Sequence, residues 1–492
     1  MMKTQSKPKL PSLVHDEPNL SAANLPRSIA EGENRESPRA GLSSKKLGQN
    51  SALTKRLSSK RSSRLFGGTV VQKEPVLSSE QMIGYEYDPN LARDEKIVVT
   101  VKTTLQVHKN DRQEEQMKKP SPDVFGRDAA RHYVRGFVAA LPLDHDRFHW
   151  SLAESEWAFS ALEPYAVDVC GDKMALCGAN YVKLISLVTG EVTPVSHPWL
   201  SQCHTVQFST DGNRLLVASS GFDAVVEFDS NNQKVVWEWF AWDHGYDRSK
   251  LGHYVVRTAE RSDALKAMGH EVLLVDDPRK YEFGIPTRIS PAHLNSAYCD
   301  GDESILVTLF HQGNGIIVDK ASGNVREVIG GLMNPHKLSR RHGGGYFISD
   351  SRRGKLIFVD AKLRPFREIT LAAMPGNERP DRLSEFLQNS TELKKDLFAC
   401  VDIHRNTLWL VNVQRRSYRG IKFPVEWSMH DVASLNQSHQ TQIGSLVGTA
   451  LGRVEASVQD RKVIRHFFPD GREIATLTLD EHGRCNELDV QM

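Results

Sequence analysis

Residues 292–360 contain two successive copies of one pattern, and this repeat limits the fold more than any other feature of the 492-residue chain. The copies begin at His293 and His336, which are 43 residues apart. Short runs rich in Val, Ile, Leu and Phe follow each histidine, and polar turns at 300–302 and 342–345 separate them. Runs of this kind between Gly and Asp turns are typical of short β-strands. The repeat therefore predicts two four-stranded units.

Similar units occur on both sides of this pair. Further copies start at Tyr165, at His204 and at Leu397, and a weaker one lies within residues 445–479. Residues 97–107 and 134–141 also have the composition of strands, and either could close a ring of such units. Four short strands repeated at this spacing are typical of β-propeller blades. We predict an all-β fold, a six-bladed β-propeller, with five or seven blades as alternatives.

The two ends of the chain differ in charge. Residues 1–64 carry 13 Lys and Arg against 5 Asp and Glu, whereas the whole chain has a net charge of +2. Such a polar, basic segment buries too little apolar surface to fold, so residues 1–75 are predicted to be a disordered tail that could contact an anionic partner. Residues 76–492 form the predicted propeller, with loop insertions at 240–291 and 372–394.

Several functional classes are excluded by composition. No apolar run approaches the 18 residues that a membrane span requires, and the first thirty residues lack the pattern of a secretory signal, so a cytoplasmic protein is expected. The six cysteines contain no CxxC pair, which favours reduced thiols. Because basic clustering is confined to the tail, nucleic-acid binding is not expected.

The candidate site comes from the histidines that begin the units. The innermost strand of each blade lines the central channel of a propeller, so equivalent positions at its start converge on one axis. His204, His293 and His336 are predicted to occupy that equivalent position in three blades. Tyr165 and roughly Asp396 are predicted there in the first and fifth blades.

Two chemistries suit such a cluster, and a non-catalytic role is the third alternative. Neutral imidazoles act as nucleophiles and proton carriers near pH 7. Alternatively, His204, His293 and His336 ligate a divalent metal while Asn295 orients a water, as in a metal-dependent hydrolase or oxygenase. The third alternative is a non-catalytic scaffold, in which the same residues are a hydrogen-bonded channel lining.

Two motifs resemble a known family. H-x-N-S at 293–296 is followed by H-Q-G at 311–313, by D-x-x-x-G-x-V at 319–325 and by His336, and H-x-V-Q-F-x-x-D-G-N precedes them at 204–213. Together with the run Val235–Trp239, this pattern resembles the bacterial aryl-sulfate sulfotransferases over roughly residues 203–360, apart from the insertion. The resemblance implies a six-bladed propeller that transfers a sulfuryl group between phenolic compounds through a sulfohistidine.

The resemblance also implies residue roles. His336 would be the nucleophile, and His204, His293 and Asn295 would bind the sulfuryl oxygens and handle the phenolic proton. The residues expected to contact a small aromatic substrate are His311, Tyr165, Phe310 and Arg352. No cofactor is implied.

One position departs from the family. Phe310 stands where the family usually has an arginine directly before H-Q-G. Loss of a fixed cation beside a sulfuryl group costs about 3 kcal/mol of transition-state stabilisation unless another donor replaces it. The candidate replacements in the sequence are Arg288, Arg352, Arg353 and His311.

Overall fold

The computed structural model of this protein describes residues 79–80, 84–103, 135–148, 155–281, 284–371, 374, 385–424 and 427–435, together with the backbone of four strands between 454 and 490. Six four-stranded antiparallel sheets form a six-bladed β-propeller, as predicted from the repeat. The predicted disordered tail, residues 1–75, lies outside the described residues. No helix in the described part of the chain is long and apolar enough to cross a membrane.

Blades 1 to 3 follow one another along the chain. Blade 1 consists of Pro164–Cys170, Lys173–Gly178, Val182–Ser186 and Val192–Val195. Blade 2 consists of Cys203–Phe208, Arg214–Ser219, Ala224–Asp229 and Val235–Phe240. Blade 3 consists of Leu294–Cys299, Ser304–Leu309, Asn314–Asp319 and Val325–Ile329.

Blades 4 and 5 each gain a fifth, parallel strand from the N-terminal segment. Blade 4 consists of His336–Arg340, Tyr346–Asp350, Lys355–Val359 and Pro365–Thr370, with Ser79–Glu80 added at its outer edge. Blade 5 consists of Leu387–Lys394, Leu397–Asp402, Thr407–Asn412 and Ser417–Lys422, with Glu86–Tyr87 added.

Blade 6 is built from both parts of the chain. Its innermost strand is Trp427–Ser434, and its other strands are Lys96–Thr103, Arg135–Pro142 and Trp157–Leu162. The two N-terminal segments that were expected to be able to close the ring therefore both do so. The C-terminal unit predicted within 445–479 does not supply this blade. Its strands belong to a separate antiparallel sheet of Val454–Ala456, Val463–Phe467, Glu473–Leu479 and Cys485–Val490.

The predicted insertions differ from each other. Residues 240–291 contain the helix Ala259–Ala267, capped by Thr258, two parallel strands, Tyr254–Val256 and Val272–Leu274, and two 3₁₀ turns, Ala241–His244 and Pro278–Lys280. A third 3₁₀ turn, Ser351–Arg353, lies within blade 4. The segment predicted as an insertion at 372–394, in contrast, contains the innermost strand of blade 5.

The hydrophobic core lies between neighbouring blades. Alternate residues of one strand face opposite neighbours because side chains in a strand point to alternate faces. In blade 6, Val98 packs against blade 1, whereas Ile97, Val99 and Val101 pack toward blade 5. In blade 2, Leu215 faces blade 1 and Leu216 faces blade 3. The innermost strands are thereby held in fixed positions around the axis.

Candidate functional site in the central channel

The same irregularity occurs in all six blades, at the start of the innermost strand. The pairing of this strand with the second strand shifts by one residue, so that one residue is left as a β-bulge. A bulge bends the strand and re-aims a side chain. The six bulged residues, in blade order, are Tyr165, His204, Asn295, Lys337, Gln388 and His430.

These six side chains line one pocket. Thr205, His336 and Asn389 complete its lining. Each bulged residue comes from a different blade, so the pocket lies on the axis of the propeller. The repeated bulge is therefore the structural device that makes the site.

The bulges correct the predicted register of the histidines. His204 is itself a bulged residue, whereas His293 lies two residues before the bulge of blade 3 and His336 one residue before that of blade 4. Left-handed backbone gives a second marker, because Glu163, Gln202 and His293 precede their bulges by two residues and have φ of 44°, 48° and 47°. Asn334, with φ of 56°, likewise precedes His336 by two residues, so by this marker His336 matches His204. The prediction of one equivalent position was wrong for His293, although the fold still brings the three histidines together.

Of the two residues predicted at this position in the first and fifth blades, Tyr165 and Asp396, only Tyr165 lies there. Tyr165 is a bulged residue and lines the pocket. Gln388, rather than Asp396, is the residue of blade 5 at this position. The Asp396 carboxylate instead accepts a hydrogen bond from Arg341 at 2.8 Å. The true innermost strand of blade 5 was hidden in a segment predicted as an insertion.

Aromatic and imidazole rings form a belt around the pocket, which we call the ring belt. Successive ring centroids are 4.7–5.6 Å apart, and every blade contributes at least one ring. Its members, in contact order, are His430, Tyr165, His204, His293, Phe310, His336 and Phe386. The rings of His204 and His293 are 5.4 Å apart, and Phe310 lies between those of His293 and His336.

His336 is held in one orientation at both ring nitrogens. Its Nδ1 lies 3.2 Å from the carbonyl oxygen of Asn334 and 2.7 Å from the Ser351 hydroxyl. A carbonyl can only accept, so Nδ1 carries the proton and Nε2 keeps its lone pair. Nε2 accepts a hydrogen bond from the Asn295 side-chain nitrogen at 3.0 Å. The lone pair that a nucleophile or a base needs therefore lies beside the pocket.

Burial sets the charge state of two of the imidazoles. Loss of hydration lowers the pKa of His336 to about 4, opposed by its hydrogen bond to Asn334. Burial likewise lowers the pKa of His311 to about 4. Both rings are thus neutral at pH 7. A neutral imidazole has a free lone pair and adds no charge to the site.

Asp223 of blade 2 fixes the segment that carries His293 and Asn295. Its buried carboxylate accepts hydrogen bonds from the backbone N–H groups of Ala292 and Leu294, each at 3.0 Å. Trp242, from the insertion at 240–291, donates to the same carboxylate at 2.9 Å. The insertion therefore helps to position His293 through the contact between Trp242 and Asp223.

A charged group forms the floor of the pocket, which we define as Lys337, Asp431, Asn389 and Thr391. The Lys337 ammonium donates to the Thr391 hydroxyl at 2.6 Å and lies 3.8 Å from the Asp431 carboxylate. Burial lowers the pKa of Lys337, opposed by the charges of Asp431 and Asp168. Burial raises the pKa of Asp431, opposed first by Lys337. Lys337, Asn389 and Asp431 are buried together, and the charges of Lys337 and Asp431 partly compensate each other.

The residues predicted to contact substrate do not all reach the site. Phe310 belongs to the ring belt, and the His311 ring stacks on His293 at 5.7 Å. Arg352 is exposed and is not among the residues that line the pocket. The candidate replacement cations also lie elsewhere, because Arg353 bonds the Asp350 carboxylate and the Gly331 carbonyl, and Arg288 is exposed. Lys337 is the cation that the fold places in the pocket.

The metal alternative has no geometric support within the residues described. No group of three His, Cys, Asp or Glu side chains in this part of the chain is arranged to hold one metal ion. The rings of His204 and His293 meet edge-on, and the Phe310 ring lies between those of His293 and His336.

Sequence reasoning missed five pocket residues, Thr205, Lys337, Gln388, Asn389 and His430. Lys337 follows His336 directly, so the sequence placed it near the predicted site. Only the register shift shows that it occupies the bulge. Asn389 and Gln388 lay in the supposed insertion, and His430 in a strand that pairs with the N-terminal part of the chain.

Comparison with known proteins does not identify a family for this chain. No family model matches the chain, and no curated protein matches it in sequence. Among solved structures, a Bacteroides caccae protein of unknown function is similar over 70% of this chain and 99% of its own, with 10% identity and a TM-score of 0.43. Virginiamycin B lyase from Staphylococcus aureus is similar over 63% and 83%, with 10% identity and a TM-score of 0.36. Likeness at these values carries no information on activity.

Proposed function

We propose that this propeller transfers a sulfuryl group from one phenolic compound to another, with His336 as the nucleophile. The observation that carries the proposal is the fixed state of His336, whose Nδ1 is anchored and whose Nε2 lone pair lies next to Asn295. A nucleophile needs an available lone pair in a defined direction. The lowered pKa keeps His336 neutral at pH 7, so the Nε2 lone pair carries no proton. The Asn295 N–H engages this lone pair and releases it for attack when the N–H turns to a sulfuryl oxygen of the substrate.

The reaction has two balanced steps. In the first, Nε2 of His336 forms a bond to sulfur, the bond from sulfur to the aryl oxygen breaks, and the phenolate leaves with the electron pair. In the second, the oxygen of an acceptor phenol bonds to sulfur, the bond from sulfur to Nε2 breaks, and the acceptor loses its proton. His204 and His293 lie near enough in the ring belt to carry the phenolic protons. A covalent intermediate implies ping-pong kinetics.

The ring belt supports an aromatic substrate. Phe310 and Phe386 flank the His336 ring, with centroids 5.6 Å away in both cases. Both phenylalanines are only half-buried, so their rings offer contact surface to a bound aryl group. Phe310 thus provides an aromatic contact at the position where the resembling family usually carries a charge.

Transfer between an aryl sulfate and a phenol acceptor tests the proposal. The wild-type protein is expected to form the new aryl sulfate and to gain the mass of one sulfuryl group when no acceptor is present. His336→Ala is expected to lose at least about 10³-fold in kcat because the nucleophile is absent. The matched control is His197→Ala, a half-buried histidine beside Glu238 and outside the pocket.

Two results would refute the proposed function. One is a wild-type protein that shows no transfer with any of a panel of aryl sulfates and phenols. The other is transfer that His336→Ala leaves unchanged, which would remove the nucleophile from the mechanism. A wild-type protein without transfer activity, together with unchanged function of a variant in which His204, His293 and His336 are all replaced, would favour the non-catalytic scaffold.

A further inference from the structure

Lys337 has more hydrogen-bonding capacity than its surroundings use. An ammonium group carries three donors. Within the described residues, one hydrogen bond reaches it, the 2.6 Å bond to the Thr391 hydroxyl, and Lys337 is only 7% exposed. The ammonium also lies 5.1 Å from the centroid of the Tyr298 ring, a contact that supplies none of the acceptors it lacks. A buried ammonium with unused donors is costly unless an acceptor is supplied. The pocket above Lys337 is the place from which a ligand could supply one.

Asp431 does not fill this role. Its Oδ1 accepts hydrogen bonds from the Asn389 side chain and from the backbone N–H of Val432, and its Oδ2 accepts from the backbone N–H of Val167. The Lys337 nitrogen remains 3.8 Å from Oδ1, beyond hydrogen-bonding distance. Asp431 therefore compensates the charge of Lys337 at a distance and leaves its donors available.

The backbone at Lys337 is also strained. Its φ is 30°, in the left-handed region that a residue with a long side chain rarely adopts. Strain of this kind persists where the surrounding structure fixes a residue, often at a binding site. Here the bulge of blade 4 keeps Lys337 on the axis. Among the described residues that line the pocket, it is the only Lys or Arg.

We infer that Lys337 binds an oxygen of a tetrahedral oxyanion at the floor of the pocket. The inference rests on the proposed function, since the sulfuryl group of the substrate would be this oxyanion, and it assigns the cation that the site needs in place of an arginine at Phe310. A phosphoryl group has the same shape and charge type, so the chemistry shared by sulfate and phosphate defines the ligand class. Asp431 sets how tightly the oxyanion is held.

Equilibrium binding of inorganic sulfate, and separately of inorganic phosphate, tests the inference on the full-length protein by titration calorimetry. Lys337→Met is expected to weaken sulfate binding by at least about tenfold, the loss typical of a hydrogen bond to a charged group. Asp431→Asn is expected to tighten binding, because it removes a negative charge 3.8 Å from the ammonium. Opposite effects of the two variants distinguish ligand binding from a structural role, in which both would weaken binding.

Two further variants distinguish a loss of sulfate binding from a loss of folding. Lys337→Met/Asp431→Asn removes both charges, so no carboxylate is left buried alone, and it is expected to bind sulfate as weakly as Lys337→Met. The matched control is Lys320→Met, which removes a largely buried lysine paired with Glu227 at 2.7 Å away from the pocket and should bind like the wild type.

The outcomes separate the inference from the proposed function. Equal sulfate binding by the wild type and the double variant would overturn the inference, as would a wild type that binds neither anion. Preference for phosphate over sulfate would support the oxyanion site and assign it to phosphoryl groups. Lys337-dependent sulfate binding without any sulfuryl transfer would support the inference and refute the proposed function. Sulfuryl transfer by the double variant would support the proposed function and refute the inference.

Discussion

The ring belt and the floor of the pocket hold their polar groups in different ways. In the ring belt, His336 is neutral at pH 7 and is anchored to a backbone carbonyl and a hydroxyl. In the floor, the charged Lys337 and Asp431 are buried and partly compensate each other. A neutral anchored ring can be replaced at small cost to folding, whereas one member of a buried charged pair cannot. We therefore expect substitutions in the floor to cost more stability than substitutions in the ring belt, although both layers take part in the proposed function.

The largest effect on stability is expected from the floor. Lys337→Met leaves the Asp431 carboxylate buried without its compensating charge, so the free energy of unfolding should fall by about 3 kcal/mol. Denaturant titration of this variant and of Lys337→Met/Asp431→Asn measures the difference. The double variant should recover most of the loss, and a single variant as stable as the wild type would show that the pair is not coupled.

A smaller effect, and on activity alone, is expected from Asn295 above the floor. Asn295→Ala removes the hydrogen bond to Nε2 of His336, so kcat should fall by about 10²-fold, the loss typical of one positioned donor in an active site. The free energy of unfolding should change little in comparison with Lys337→Met. The control is Asn314→Ala, a half-buried residue of the same blade that bonds Glu327. Loss of stability without loss of kcat would reverse the division between the two layers.

The smallest expected effect is the response of activity to mild acid. The pKa of His336 is lowered to about 4, so its neutral form persists well below the usual titration range and is lost only as the pH falls through that value. Between pH 7 and pH 5, kcat/KM should fall by about one tenth, whereas for a histidine with an ordinary pKa of about 6.5 it would fall roughly 25-fold. A pH-rate profile with its acid limb near 6.5 would show that His336 is solvated in the working enzyme.

Much of the fold followed from local patterns. The strands Ser304–Leu309 and Lys355–Val359 lie in the predicted apolar runs, since alternating side chains and Gly or Asp turns act within a few residues. The helix Ala259–Ala267 likewise begins at a local signal, the capping side chain of Thr258. The composite blade 6 was less accessible, because Trp427–Ser434 pairs with Lys96–Thr103 from the other end of the chain.

The candidate site was predictable only in part. His204, His336, Asn295 and Tyr165 line the pocket as the sequence indicated, and His293 joins them through ring contacts. Lys337 could not be distinguished from an ordinary strand lysine, because a bulge is a property of two paired strands and not of one segment. The proposed sulfuryl transfer stays a prediction that the histidine variants test.

The sequence by itself determined that the chain repeats a four-stranded unit, and it indicated the histidines that begin several of those units. Short-range periodicity and turn chemistry are encoded within each segment, which is why they can be read without the fold. Only the tertiary structure decided the position of each bulge, the closure of the ring by the N-terminal strands and the burial of Lys337 opposite Asp431. These features depend on pairing between segments far apart in the chain, where hydrogen-bond register and packing choose among arrangements that the local sequence leaves equally possible.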